Sequence, residues 1–199
     1  MKKSILMAIT TVVMVCSFSV ASASNLFTGK AAYLQLSTGM SFVDWKDFKS
    51  GQAWTMNDNA EGGLGFGGLF GMSFYKNISA EAGFLYLPKV QYTQASTKFD
   101  ITQFLAYAAS RLTLKVSENV ALFTRLGLGY RSFDNSQASF GSSSLVAPVF
   151  GVGMNYFFSP RLWAGLSYTH QPGRFTGDIT ERAPNLNQYD ISLMYRFTA

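Results

Sequence analysis

The sequence has little of what site chemistry usually needs. Of its 199 residues one is cysteine, Cys16, and one is histidine, His170. There are 5 prolines, and charged residues make up 14% of the chain, where a soluble domain carries about 25%. Each shortage excludes something. One cysteine gives no disulfide, and one cysteine with one histidine gives no zinc-type metal centre. Few charges beside 48% hydrophobic residues exclude a disordered chain, and the composition is not the Ala/Glu/Lys/Leu mixture of a coiled coil. Discounting Lys2 and Lys3, the net charge falls from +5 to +3, which is too weak to argue for a nucleic-acid partner. After Ser24 no stretch reaches the roughly 20 apolar residues of a spanning helix. The longest charge-free region, 135–160, is interrupted by Pro148, Gly151, Gly153 and Asn155.

What remains is glycine and aromatic residues: 18 Gly, 18 Phe, 10 Tyr and 3 Trp. The N-terminus reads as an export signal. Lys2 and Lys3 precede an apolar stretch, Ile5 to Val20, which ends in the small-x-small sequence Ala21-Ser22-Ala23. The expected division is therefore a cleaved signal peptide, 1–23, and one domain, 24–199. Cys16 falls inside the signal, and Val15 before it is too bulky for a lipoprotein cleavage site.

Beyond Ser24 the hydrophobic period is two. Leu34, Leu36, Met40 and Phe42 alternate with Gln35, Ser37, Gly39 and Ser41. Val120, Leu122, Leu126, Leu128 and Tyr130 alternate with Ala121, Arg125, Gly127, Gly129 and Arg131. About eight such segments follow one another, and sustained alternation is the signal of a strand with two unlike faces. Runs of about 9–11 residues suit a tilted membrane-crossing strand. Three short connections, around 75–77, 115–119 and 158–160, alternate with longer ones near 43–60, 88–100, 132–144 and 171–187. That asymmetry predicts an eight-stranded antiparallel up-and-down transmembrane β-barrel of the outer-membrane type, an all-β fold with its apolar face toward lipid. Tyr86, Phe104, Tyr130, Tyr168 and Tyr189 should form one aromatic girdle at the loop end, and Phe74, Tyr156, Tyr195 and Phe197 a second at the turn end.

The opposite face reads as a polar lumen. Its charges are Glu81, Arg111, Arg125, Arg131, Asp190 and Arg196, and a lateral Glu81–Arg111 pair is expected because buried charges need partners. His170 falls on the lipid side, and Ser167, on the other face, cannot be its nucleophile. No catalytic set, no metal site and no cofactor is expected. The first long loop carries Trp45, Phe48, Lys49 and Trp54, which could contact lipopolysaccharide or a host-surface ligand.

The segments Leu122-Phe123-Thr124-Arg125-Leu126-Gly127 and Ala147-Pro148-Val149-Phe150-Gly151-Val152-Gly153, the Ser159-Pro160 turn, Glu81-Ala82-Gly83-Phe84 and the terminal Tyr195-Arg196-Phe197 together resemble the N-terminal transmembrane domain of the outer membrane protein A family. The resemblance implies a Gram-negative outer-membrane location reached through the periplasm. It also implies a last strand, with Tyr195 and Phe197, read by the barrel-assembly machinery. With Ala199 as its last residue, the chain is expected to lack the peptidoglycan-binding domain that many relatives carry. Family members are thought to gate ions by switching an inward Glu between two basic partners. Glu81 matches that acid and Arg111 one base, whereas Asn155 and Gly165 stand where another acid and the second base would be. The expectation is a monomeric barrel with outer-membrane lipid and lipopolysaccharide as neighbours. It would be structural or a narrow, mostly plugged porin-like channel, with a static Glu81–Arg111 plug. Interior charges that merely fill space and fix register are the plainer alternative. A surface adhesin or ligand-binding barrel acting through its loops is a second reading, and a lipid-modifying enzyme a third.

Overall fold

The computed structural model describes residues 31–75, 77–94, 97–135, 143–173 and 185–197, apart from the first long loop, 45–62. Eight strands run in chain order: β1 Ala32–Asp44, β2 Gly63–Ser73, β3 Ile78–Gln94, β4 Thr97–Lys115, β5 Val120–Asn135, β6 Ser143–Phe157, β7 Leu162–Gln171 and β8 Asn185–Phe197. Each pairs antiparallel with its chain neighbours, and β8 returns to pair with β1, from Ala32↔Phe197 to Asp44↔Asn185. The sheet is a closed barrel with no free edge.

Closure carries a stagger. From Ala32 the register passes through Met72, Ala80, Ser110, Leu126, Phe150, His170 and Asn187 and re-enters β1 at Phe42. The circuit ends ten residues along the strand it began on (42 − 32 = 10). Such a stagger goes with strands tilted by about 35–45° and with an interior that side chains fill.

Three hairpins share one turn. Phe74, Val116 and Phe158 each donate a backbone N–H to the carbonyl four residues on, at 2.9, 2.9 and 3.1 Å. The following residues, Tyr75, Ser117 and Ser159, donate to the same carbonyls. This is the tight end of the barrel.

The other end departs from the sequence expectation. Strands are 10 to 19 residues long rather than uniformly 9–11. The longest are β3 and β4, whose pairing continues to Gln94↔Thr97. The 88–100 connection, read above as a loop, is an extended hairpin. Pro88 has no N–H for the ladder, and the register shifts between Leu87 and Val90 to accommodate it. Thr102 Oγ1 donates to the Pro88 carbonyl at 3.0 Å across the irregularity.

The two faces differ as the alternation predicts. Leu36, Leu114, Leu126, Leu128, Ile191 and Leu193 are each more than half exposed and all point outward. An apolar band that encircles a barrel cannot be a water surface, since soluble monomers rarely expose contiguous apolar patches beyond a few hundred Å². In a bilayer, closure also satisfies every strand's backbone groups, each of which would cost several kcal/mol unpaired.

The inside is less uniformly polar than the sequence reading holds. Leu85, Leu87, Leu105, Val149 and Leu186 form a buried cluster, with Tyr107 packed against it. These residues occupy the loop-side half of the lumen. Glu81, Arg111, Arg125 and Arg196 lie nearer the turns, whereas Arg131 shares the loop-side half.

Candidate functional site in the barrel lumen

Glu81 on β3 is the centre of the lumen. It lies three residues above the start of its strand and is 3% exposed. Arg111 on β4 approaches from the next strand, Nη1 to Glu81 Oε1 at 3.0 Å. Arg125 on β5 reaches the other oxygen, Nε to Oε2 at 2.5 Å. Tyr33 on β1 crosses the lumen and donates its hydroxyl to Oε1 at 2.6 Å. One carboxylate therefore ties four of the eight strands together.

The local sequence makes room for this. Tyr33 faces Gly71 in the β1–β2 ladder. A Cβ at Gly71 would overlap the Tyr33 ring, so the missing side chain is what lets the phenol lie flat and reach Glu81. The Phe123 ring sits beneath both cations, with the Arg111 guanidinium 3.7 Å and the Arg125 guanidinium 5.5 Å from its centroid. Tyr107 lies 5.5 Å from Arg125. Aromatic faces stabilise desolvated guanidinium groups by about 2 kcal/mol or more. That suits a site where the positive charges outnumber the single carboxylate.

The pair expected from the sequence, Glu81 with Arg111, is thus half of the arrangement. Arg125 is its second base and Tyr33 an added donor. Neither had a pairing role in the sequence reading. Alternation assigns a residue to a face, but contact across a barrel depends on stagger and depth, which alternation does not contain.

The remaining lumen charges lie apart. Asp190 on β8 accepts from Gln188 Nε2 at 2.7 Å, and Ser41 bonds Gln188 in turn. Arg131 is fully buried near the loop end, its guanidinium 4.7 Å from the Phe133 ring. Arg196 sits at the turn-end mouth. Gln171 Nε2 donates to the Gly129 carbonyl at 3.0 Å, bridging β7 to β5 across the interior.

On the outer surface the aromatic residues fall at two levels. Tyr86, Tyr130 and Tyr189 are exposed at the loop end, where Phe104 stacks on Phe84 at 6.3 Å and Tyr168 leans on Tyr189 at 5.0 Å. At the turn end Phe74, Tyr156, Tyr195 and Phe197 are exposed. Tyr156 meets Phe158 edge-on at 5.3 Å, and Tyr195 meets Phe197 likewise at 5.3 Å. His170 belongs to the loop-end level. It stacks on Tyr168, and its Nδ1 lies 2.9 Å from Asn187 Oδ1, the same oxygen that accepts from the Tyr168 hydroxyl. Its hydrogen bond is to an amide rather than to a serine. Among the described residues no group of three His, Cys, Asp or Glu side chains could hold a metal ion. Trp45, Phe48, Lys49 and Trp54 lie outside the described residues, as does the 1–23 segment.

Comparison with known proteins bears on the whole chain. The protein-family model described as "Outer membrane protein beta-barrel domain" matches residues 8–197. No curated protein matches the sequence. Among solved structures, the barrel is similar to neisserial surface protein A, with a TM-score of 0.62 at 11% identity, covering 84% of this chain and 99% of that one. It is also similar to the attachment invasion locus protein of Yersinia pestis, solved with the heparin analogue sucrose octasulfate. There the TM-score is 0.54 at 15% identity, covering 84% and 99% of the two chains. The N-terminal β-barrel domain of OprF from Pseudomonas aeruginosa gives a TM-score of 0.55 at 11% identity, covering 83% and 97%. At such identities the likeness is one of fold.

Proposed function

We propose, for a chain that belongs to the outer membrane protein β-barrel domain family, that it serves as a structural outer-membrane barrel whose lumen is closed to bulk ion flow. The observation that carries this reading is the Glu81 carboxylate held at once by Arg111, Arg125 and Tyr33. A switch between two basic partners needs one of them vacant, and here both are engaged. The buried Leu85, Leu87, Leu105, Val149 and Leu186 cluster closes the loop-side half of the same lumen, so two barriers lie in series.

On this reading the protein is exported through the periplasm, is inserted by the barrel-assembly machinery from a last strand ending in Tyr195 and Phe197, and stands as a monomer among outer-membrane lipid and lipopolysaccharide. It performs no catalysis. Planar-bilayer recording tests the closure. The native protein should show at most rare, small conductance steps, and Glu81→Ala should make opening more frequent. Conductance unchanged by Glu81→Ala would remove the plug from the reading.

One observation favours a second role at the cell surface. β3 and β4, at 17 and 19 residues, exceed the roughly 9–11 that cross a bilayer. Their paired strands therefore extend beyond the loop-end girdle, in a position suited to contact a ligand or another cell. Replacing 89–100 by a tight turn and measuring cell binding separates the roles: an effect on binding with unchanged barrel folding would assign adhesion to this hairpin.

A further inference from the structure

Below the Glu81 network the lumen holds a cavity of about 560 Å³ that opens at the turn end. That is within the size range of small-molecule sites, about 300–1,000 Å³. We infer that this vestibule binds a soluble small anion carrying phosphate or carboxylate groups, with Arg111 and Asn155 in its inner wall and Trp163, Lys115 and Arg196 nearer its mouth.

Charge is the first argument. Arg111, Lys115 and Arg196 line the cavity, and the only acid that lines it among the described residues is Glu118. The Glu81 carboxylate above is already held by three donors. Lys115 and Arg196 form no ion pair among the described residues.

Unused hydrogen-bonding capacity is the second. Arg111 is 2% exposed, and its Nε–H has no partner although Nη1 is committed to Glu81. Trp163 Nε1, a donor only, is buried and unpartnered, and Trp163 lines the same cavity nearer its mouth. Asn155, 1% exposed, lines the cavity as well, and it is its Oδ1 that has no partner there. A half-turn of that amide presents two N–H groups to the same space. Native structures rarely leave buried donors unpaired, and Arg111 and Trp163 both line this cavity. Guanidinium and indole N–H groups in a desolvated wall match a phosphate or carboxylate oxygen, and charge-assisted bonds of that kind are about twice as strong as neutral ones.

Packing is the third. Tyr33 and Phe157 hold Trp163 from two sides, at ring distances of 5.9 and 4.9 Å. The indole donor is fixed before a ligand arrives, which lowers the ordering cost of binding.

The test uses the full chain folded in neutral maltoside micelles and nitrogen-15 NMR, with the Trp163 indole resonance identified by its loss in Trp163→Phe. Inorganic phosphate is the probe, added against sodium chloride of matched ionic strength. The expected result is a saturable shift of that resonance by phosphate alone. Its apparent affinity should fall about tenfold or more in Arg196→Gln/Lys115→Gln, or in Arg196→Gln by itself. No saturable shift, an equal response to chloride, or unaltered affinity in the variants would overturn the inference. A response to dihexanoyl phosphatidylglycerol without one to phosphate would overturn it too, since the occupant would then be a lipid headgroup. Heat-modifiable gel migration reports the folded barrel independently, so a folded barrel blind to phosphate sinks the vestibule and leaves the structural reading standing.

Discussion

Arg111 and Arg125 face each other directly across the β4–β5 ladder. Like charges opposite one another on a sheet repel, and here both are buried. Glu81 divides its two oxygens between them, and Phe123 lies against both guanidinium groups. The acid is therefore the counter-charge that allows two arginines to occupy adjacent strands at the same depth.

Removing that charge should be severe. Glu81→Gln leaves two buried cations facing each other, and loss of one member of a buried pair costs about 3–5 kcal/mol. Urea unfolding from lipid vesicles should register a destabilisation of that order. The triple variant Glu81→Leu/Arg111→Met/Arg125→Met, with no charge left to strand, should recover most of it. A triple variant no more stable than Glu81→Gln would refute the electrostatic account.

Tyr33 gives a finer measurement. Tyr33→Phe removes one hydrogen bond to a carboxylate, worth about 1.5–3 kcal/mol. Gly71→Val forces the ring off its seat and should add an overpacking penalty of about 1–3 kcal/mol. If Gly71→Val has no effect in a Tyr33→Ala background but is costly in the native one, the two residues act through the contact described. Equal effects in both backgrounds would place the cost elsewhere.

The lipid face should show a depth profile. Leu126 and Leu114 are both outward and exposed. Leu126 lies six residues into β5, while Leu114 is one residue from the turn-end limit of β4. Leu126→Arg should cost about 2–4 kcal/mol and Leu114→Arg about 0–1 kcal/mol, the difference between midplane and interface. Equal penalties in vesicle-based unfolding would contradict the assignment of the apolar band to lipid.

Gln103 offers a change in the opposite direction. It is 1% exposed, and neither end of its amide has a partner. Gln103→Leu keeps similar bulk and removes two unmet polar atoms, so it should raise stability by about 1–3 kcal/mol. A fall in the urea midpoint would mean the amide is satisfied after all.

The barrel was legible because a period of two survives in every strand, and outward Leu, Ile, Phe and Tyr mark one face from Leu34 to Phe197. Two things were not. Pro88 looks like the end of β3, yet Val90, Tyr92, Phe99 and Ile101 resume an alternating pattern beyond it that a bulge makes usable. The lumen network was visible as a set of residues but not as a set of contacts. Tyr33 and Glu81 are 48 residues apart in sequence, and no local pattern encodes a hydrogen bond across an interior whose depth is set by stagger. Tyr33 itself precedes the first clear alternating pair, so the alternation assigns it to neither face.

The seam between β1 and β8 also sets the order in which the molecule can be made. Ala32 pairs with Phe197, so the first strand has no second neighbour until the last has arrived. Contacts between such distant residues form slowly. A chain that emerges N-terminus first must therefore be held unpaired, with β1 and the growing sheet both protected from other chains, until its final strand is available. Time spent waiting, rather than stability once closed, is the quantity this topology puts at risk.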